Sequence, residues 1–103
     1  MKKVFKVISS MTVVSALALG GVIVLADTVN VDGGTWVYGY NHPVNAYSKF
    51  IHPRDNHGAR VINKNNGTIS TDNQRGGVWA QGIIGDLWDP ASFYYSPHKY
   101  YSD

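Results

Sequence analysis

Seven aspartates, four histidines and no glutamate make up the acid–base inventory of this 103-residue sequence, which also lacks cysteine. A glycosidase-type acid/base pair needs two carboxyls facing across a cleft. Asp86 and Asp89 are the closest-spaced candidates, and aspartates that cap loop turns account for them without catalysis. His42, His52 and His57 lie near turn residues, but their spacing is not that of a metal site and no thiolate assists. Serines and histidines occur without a nucleophile-elbow sequence. The residues therefore predict no catalytic set, no metal and no cofactor, and the chain is read as a non-enzyme.

Two features suit binding instead. In Arg75-Gly76-Gly77, successive backbone amides beside glycines can form an anion-binding nest, and the arginine adds a fork of donors. The same tripeptide is also a simple glycine turn feeding the next strand. Trp36, Tyr40, Tyr47 and Trp79, with Phe93 and Tyr94, can build a surface that stacks on sugar faces. They can equally fill a core.

The N-terminus constrains where such chemistry would take place. Lys2, Lys3 and Lys6 precede an uncharged run from Val7 to Leu25, which closes in Val24-Leu25-Ala26 before Asp27. A basic start, an apolar run and a small-x-Ala site are the marks of a secretory signal peptide. Residues 1–26 are read as that signal, helical while it acts, with the cut between Ala26 and Asp27. Ser9, Ser10, Thr12, Ser15, Gly20 and Gly21 dilute the run, which argues against a permanent membrane span. Without cysteine there is no lipid attachment site. The product is thus expected to be secreted, touching a membrane only during export.

Residues 27–103 carry six basic side chains against seven aspartates, a net charge of −1 with the histidines neutral. Nucleic-acid binding requires a concentrated basic face, and attack on bulk anionic membrane requires a basic amphipathic helix. Neither is present. If the target is anionic, protonation of the four histidines should strengthen binding between about pH 7 and 5.5.

The rest of the chain alternates strand-forming and turn-forming segments. Residues 27–34 read as a flexible lead-in. Strands are expected at 35–40, 45–51, 59–63, 68–71, 78–84 and 92–95. On the first of them Trp36, Tyr38 and Tyr40 share a face. Asn66-Gly67 is read as a type I′ hairpin turn, and residues 97–103 as a poorly ordered tail. The fold class is all-β: a small antiparallel sandwich of five to six short strands, spanning residues 35–96. All three tryptophans, all seven tyrosines and two of the three phenylalanines lie after residue 26. Without disulfides, these rings must supply much of the core.

Taken in order, these segments resemble the lactococcin 972 family of bacteriocins. The matching residues are Gly34-Thr35-Trp36, Gly39-Tyr40, Ala46-Tyr47-Ser48, His57, Ala59, Asn65-Asn66-Gly67, Asp72 to Ala80 and Ala91-Ser92-Phe93-Tyr94-Tyr95. The resemblance implies a secreted antibacterial β-sandwich of Gram-positive bacteria. It also implies a homodimer that binds the wall precursor lipid II and blocks septum formation without making pores. Arg75, Gly76 and Gly77 could then hold a phosphate while aromatic faces cover a sugar. The alternative is a non-toxic secreted carbohydrate-binding or adhesion module with the same fold. Mass spectrometry of culture supernatant is expected to find a product that begins at Asp27. A product retaining residues 1–26 would contradict the signal reading.

Overall fold

The computed structural model describes residues 10–12 and 23–102, and every regular element in them is a β-strand. The strands are β1 (Ser10–Thr12), β2 (Ile23–Val31), β3 (Gly34–His42), β4 (Asn45–Ile51), β5 (His57–Asn63), β6 (Ile69–Gln74), β7 (Ala80–Gly85) and β8 (Ala91–Ser96). One sheet has the order β1-β2-β3-β4-β7 and the other β6-β5-β8, with every pairing antiparallel. Strands β3 to β8 fall on the six expected segments. Most of the expected signal helix lies outside the described residues. The described parts of residues 1–26, Ser10–Thr12 and Ile23–Ala26, are extended.

The core follows from period-two alternation. Ala46, Ser48 and Phe50 of β4 pair with Tyr40, Tyr38 and Trp36 of β3 and with Ile84, Gly82 and Ala80 of β7. This face turns toward β5 and β8. Trp36 lies 4.2 Å from Tyr38 and 4.6 Å from Tyr95, centroid to centroid, and Phe93 is 5.3 Å from both Tyr38 and Tyr40. The small residues Ala46, Ala59, Ala80 and Ala91 are buried beneath these rings, leaving room for aromatic bulk. Ser48 links the layers: it accepts from Trp36 Nε1 at 2.9 Å and donates to the Tyr94 carbonyl at 2.9 Å.

Two sequence expectations about turns are exchanged. The lead-in over residues 27–34 is not flexible: Asp27–Val31 continue β2, and Asp32-Gly33 are a two-residue turn into β3. Both turn residues have positive φ, 51° and 83°, as a type I′ hairpin requires. Asp32 is then fixed by the Tyr95 hydroxyl, which donates to it at 2.7 Å. At the Asn66-Gly67 hairpin, by contrast, only Gly67 has positive φ. The loop is longer than a type I′ turn because Asn63 organises it. The buried Asn63 side chain accepts from the amides of Asn65 and Asn66, and its backbone carbonyl accepts from Gly67.

The C-terminal tail is also ordered rather than loose. Tyr101 exchanges two hydrogen bonds with the Asn73 side chain, at 2.9 and 3.0 Å, and lies under the Arg60 guanidinium at 4.1 Å. A Cβ on Gly58 would come within 2.7 Å of the Tyr101 ring, so the glycine makes the space that the tail fills.

The outer edge of β7 is capped by side chains of β6. The Gln81 amide donates to Asp72 at 2.9 Å and the Ile83 amide to Ser70 at 3.0 Å. Between them, a Cβ on Gly82 would lie 2.6 Å from the Ser70 carbonyl oxygen. Gly82→Ala is therefore expected to force the two sheets apart and to cost about 1–3 kcal/mol. Urea unfolding should show this as a lower midpoint at unchanged slope.

Candidate functional site

Loops gather at the two ends of the sandwich. One end carries the β3–β4 turn, the β5–β6 loop and the β7–β8 loop. The other carries the Asp32-Gly33 turn, the β4–β5 and β6–β7 loops and the tail.

At the first end, Asp86 to Asp89 form a tight turn, closed by Asp89 N–H donating to the Asp86 carbonyl at 2.8 Å. Its central residues Leu87 and Trp88 have φ of 43° and 70°. Left-handed backbone costs a bulky L-residue roughly 1–2 kcal/mol, so two in succession are a strained and unusual arrangement. Such strain persists where surrounding structure over-determines it, and it concentrates at functional sites. Three contacts hold the turn here. The Leu87 amide donates to the Pro43 carbonyl at 3.0 Å. The fully buried Asp86 carboxylate meets His42 Nδ1. Asp89 accepts from the side-chain amides of Asn63 and Asn65, at 2.9 and 2.8 Å.

A column of rings rises from the core to this turn. Tyr40 sits edge-on to Phe93, His42 stacks on Tyr40 at 4.4 Å, and Trp88 stacks on His42 at 4.3 Å. The Tyr40 hydroxyl accepts from the Ala91 amide at 3.1 Å, anchoring the column to the start of β8. Trp88 is 55% exposed, Leu87 75% and the adjacent Val44 57%. The arrangement presents an apolar, aromatic tip on a rigid base.

The opposite end holds an open cleft of about 850 Å³ between the Asp32-Gly33 turn, His52, Pro53 and His98. His98 Nδ1 donates to Asp55 at 2.8 Å, and this bond holds the Asp55 carboxyl below the usual carboxylate range. One ligand-type atom each from His52, Asp55 and His98 lies within 4.8 Å of the others. The backbone opposes a metal there. His52 Nδ1 accepts from the amides of Arg54 and Asp55, at 3.1 and 2.9 Å, which puts the ring proton on Nε2, the atom nearer Asp55.

The seven binding residues expected from the sequence do not form one surface. Trp36 and Tyr40 pack between the sheets, as described above. Tyr47 is buried on the other face of β4, with Lys49 5.3 Å above its ring. Trp79 is exposed just before β7. Of the Arg75-Gly76-Gly77 amides expected to form a nest, that of Gly77 donates instead to the His52 carbonyl at 2.8 Å. A Cβ on Gly76 would lie 2.3 Å from the Arg54 carbonyl oxygen. These glycines hold the loop that carries His52.

The histidines do not share one surface either: His52 and His98 pack together at the cleft, ring centroids 5.2 Å apart, whereas His42 lies at the opposite end. His57 is buried with its nitrogens 2.8 and 2.7 Å from the carbonyls of Asp55 and Val78. His42 faces Asp86 and His98 faces Asp55. The expected joint gain of four charges at one binding surface has no geometric basis.

The comparisons with known proteins agree with this architecture. A family model described as bacteriocin (lactococcin 972) matches residues 32–95. The chain belongs to the lactococcin 972 family of bacteriocins. The solved structure of lactococcin 972 is 45% identical, with a TM-score of 0.55, covering 61% of this chain and 96% of that one. No curated protein sequence matches.

The strained turn was not singled out in the sequence. The signal available was Leu87-Trp88, two large apolar residues inside a loop bounded by Gly85-Asp86 and Asp89-Pro90. Asparagine tolerates left-handed backbone far better than leucine, and Leu87 buries little. Leu87→Asn is therefore expected to raise stability by about 1 kcal/mol, a melting-temperature gain of roughly 4–8 °C for a domain of this size. Calorimetry showing an unchanged or lower melting temperature would remove the strain from the account.

Proposed function

We propose that this protein is a secreted bacteriocin that captures the wall precursor lipid II and so stalls septal wall synthesis in related Gram-positive bacteria. Family membership supports the antibacterial role. The observation that carries the capture mode is the Trp88 turn, an exposed aromatic face kept in a costly conformation by His42, Asp86 and Asn63.

A rigid ring with one open face suits stacking on an amino-sugar ring, because little side-chain entropy is lost on contact. The neighbouring Lys64-Asn65-Asn66 loop is exposed at the same end and supplies hydrogen-bond donors for polar groups of a headgroup. With residues 27–103 near zero net charge, potency comes from fitting one molecule rather than from attraction to a charged surface. Arg75 stands at the opposite end, so its substitution by alanine serves as the control that leaves activity intact.

Purified protein is expected to arrest growing Gram-positive relatives of the producer, and an excess of purified lipid II should relieve the arrest. Inhibition that persists at full strength with lipid II present would exclude the precursor as target. Failure to inhibit any such strain would remove the antibacterial reading.

A further inference from the structure

We propose that the Asp86–Asp89 turn is a membrane wedge, with Leu87 and Val44 seated in the interfacial layer of a lipid bilayer and Trp88 at the headgroup boundary, its open face left to the sugar, while the protein engages its target. The inference deepens the function proposed above, since a lipid-linked target places this end of the molecule at a membrane surface.

Four observations lead to it. First, the three side chains are among the most exposed large apolar groups described, and they converge on one tip because the Leu87 amide is bonded to the residue before Val44. Second, the tip's backbone is largely closed. Leu87 N–H goes to Pro43, Asp89 N–H to Asp86, Val44 N–H to Asn41 at 2.6 Å, and Lys64 N–H to the Pro90 carbonyl at 2.9 Å. Unsatisfied amides are what keep most loops out of apolar media. Third, the nearby carboxylates are withdrawn. Asp86 is fully buried against His42, and both oxygens of Asp89 are taken by Asn63 and Asn65. Fourth, the tip is convex and small. Three side chains present at most a few hundred Å², well short of the roughly 800 Å² per partner of a specific protein interface. Tryptophan is also a preferred residue at the membrane–water boundary. His42 stacked behind Trp88 keeps the ring at the apex, and Lys64, brought alongside by its bond to Pro90, stands at headgroup height.

The mode differs from that of a basic amphipathic helix. Attachment comes from apolar area and is expected to be shallow, reversible and insensitive to salt. Membrane contact therefore extends beyond export.

The test uses the purified native protein and vesicles of phosphatidylcholine, with and without phosphatidylglycerol, all free of wall precursor. Co-sedimentation and a blue shift of tryptophan emission are expected on both compositions, unchanged by 0.5 M salt. Leu87→Asp should weaken partition at least tenfold, and Trp88→Phe should abolish most of the blue shift while retaining binding. Each variant is first checked for an unchanged sheet spectrum by circular dichroism; should Leu87→Asp fail that check, Val44→Asp replaces it. No partition, partition indifferent to these substitutions, or binding confined to anionic vesicles and lost in salt would each overturn the wedge. So would ultracentrifugation showing that Leu87→Asp dissociates a stable oligomer, since the tip would then be a subunit contact. Relief of growth arrest by lipid II is read separately. Its success without vesicle binding keeps the function and rejects the wedge, and the converse does the reverse.

Discussion

Packed sheets stand about 10 Å apart, and in this chain five rings fill much of that gap: Trp36, Tyr38 and Tyr40 from β3 against Phe93 and Tyr95 from β8. No cysteine is available to staple the layers, so their alignment depends on this packing and on the Ser48 link through it. The alanines beneath the rings are the complement of that choice, because larger residues there would overfill the space. The rings also carry polar ends, and those ends tie down the loops. The Tyr95 hydroxyl fixes the Asp32 turn and the Tyr40 hydroxyl fixes the start of β8. Burial together with the Asp32 carboxylate pushes the Tyr95 hydroxyl far above its ordinary ionisation range, so it stays a donor throughout physiological pH.

The two ends of the sandwich spend their polar residues differently. At the cleft end, glycines and histidines hold one loop against another, with Gly77 and His52 bonded directly. At the Trp88 end, asparagines and aspartates lock a turn whose apolar side chains face outward. The family match over residues 32–95 includes both ends. It leaves out β1, all of β2 and the docked tail.

Much of the fold was legible from alternation alone. Trp36, Tyr38 and Tyr40 declare a shared face by spacing, and six strands fall where β-branched and aromatic residues alternate between turn signals. The turns were harder. Asn66-Gly67 is the stronger dipeptide signal, yet the buried Asn63 side chain overrides it, while Asp32-Gly33 forms the tighter turn because Val29 and Val31 are drawn into the sheet beside it. The candidate site was least legible. Tyrosines and tryptophans look alike in sequence whether they fill a core or face outward, and only the layer arrangement separates Trp36 from Trp88. Backbone strain at Leu87 has no signature in composition.

Strand β2 runs unbroken from Ile23 to Val31, with Ala26 opposite Gly39 and Asp27 opposite Tyr38. Proteases bind their substrates as free extended segments, and a peptide bond held inside a ladder cannot enter such a cleft without the strand first peeling away. A cut between Ala26 and Asp27, as expected from the sequence, is therefore open to a protease only before β2 docks. Afterwards the sheet shields the junction. A chain that folded before such a cut would keep residues 23–26 in the ladder.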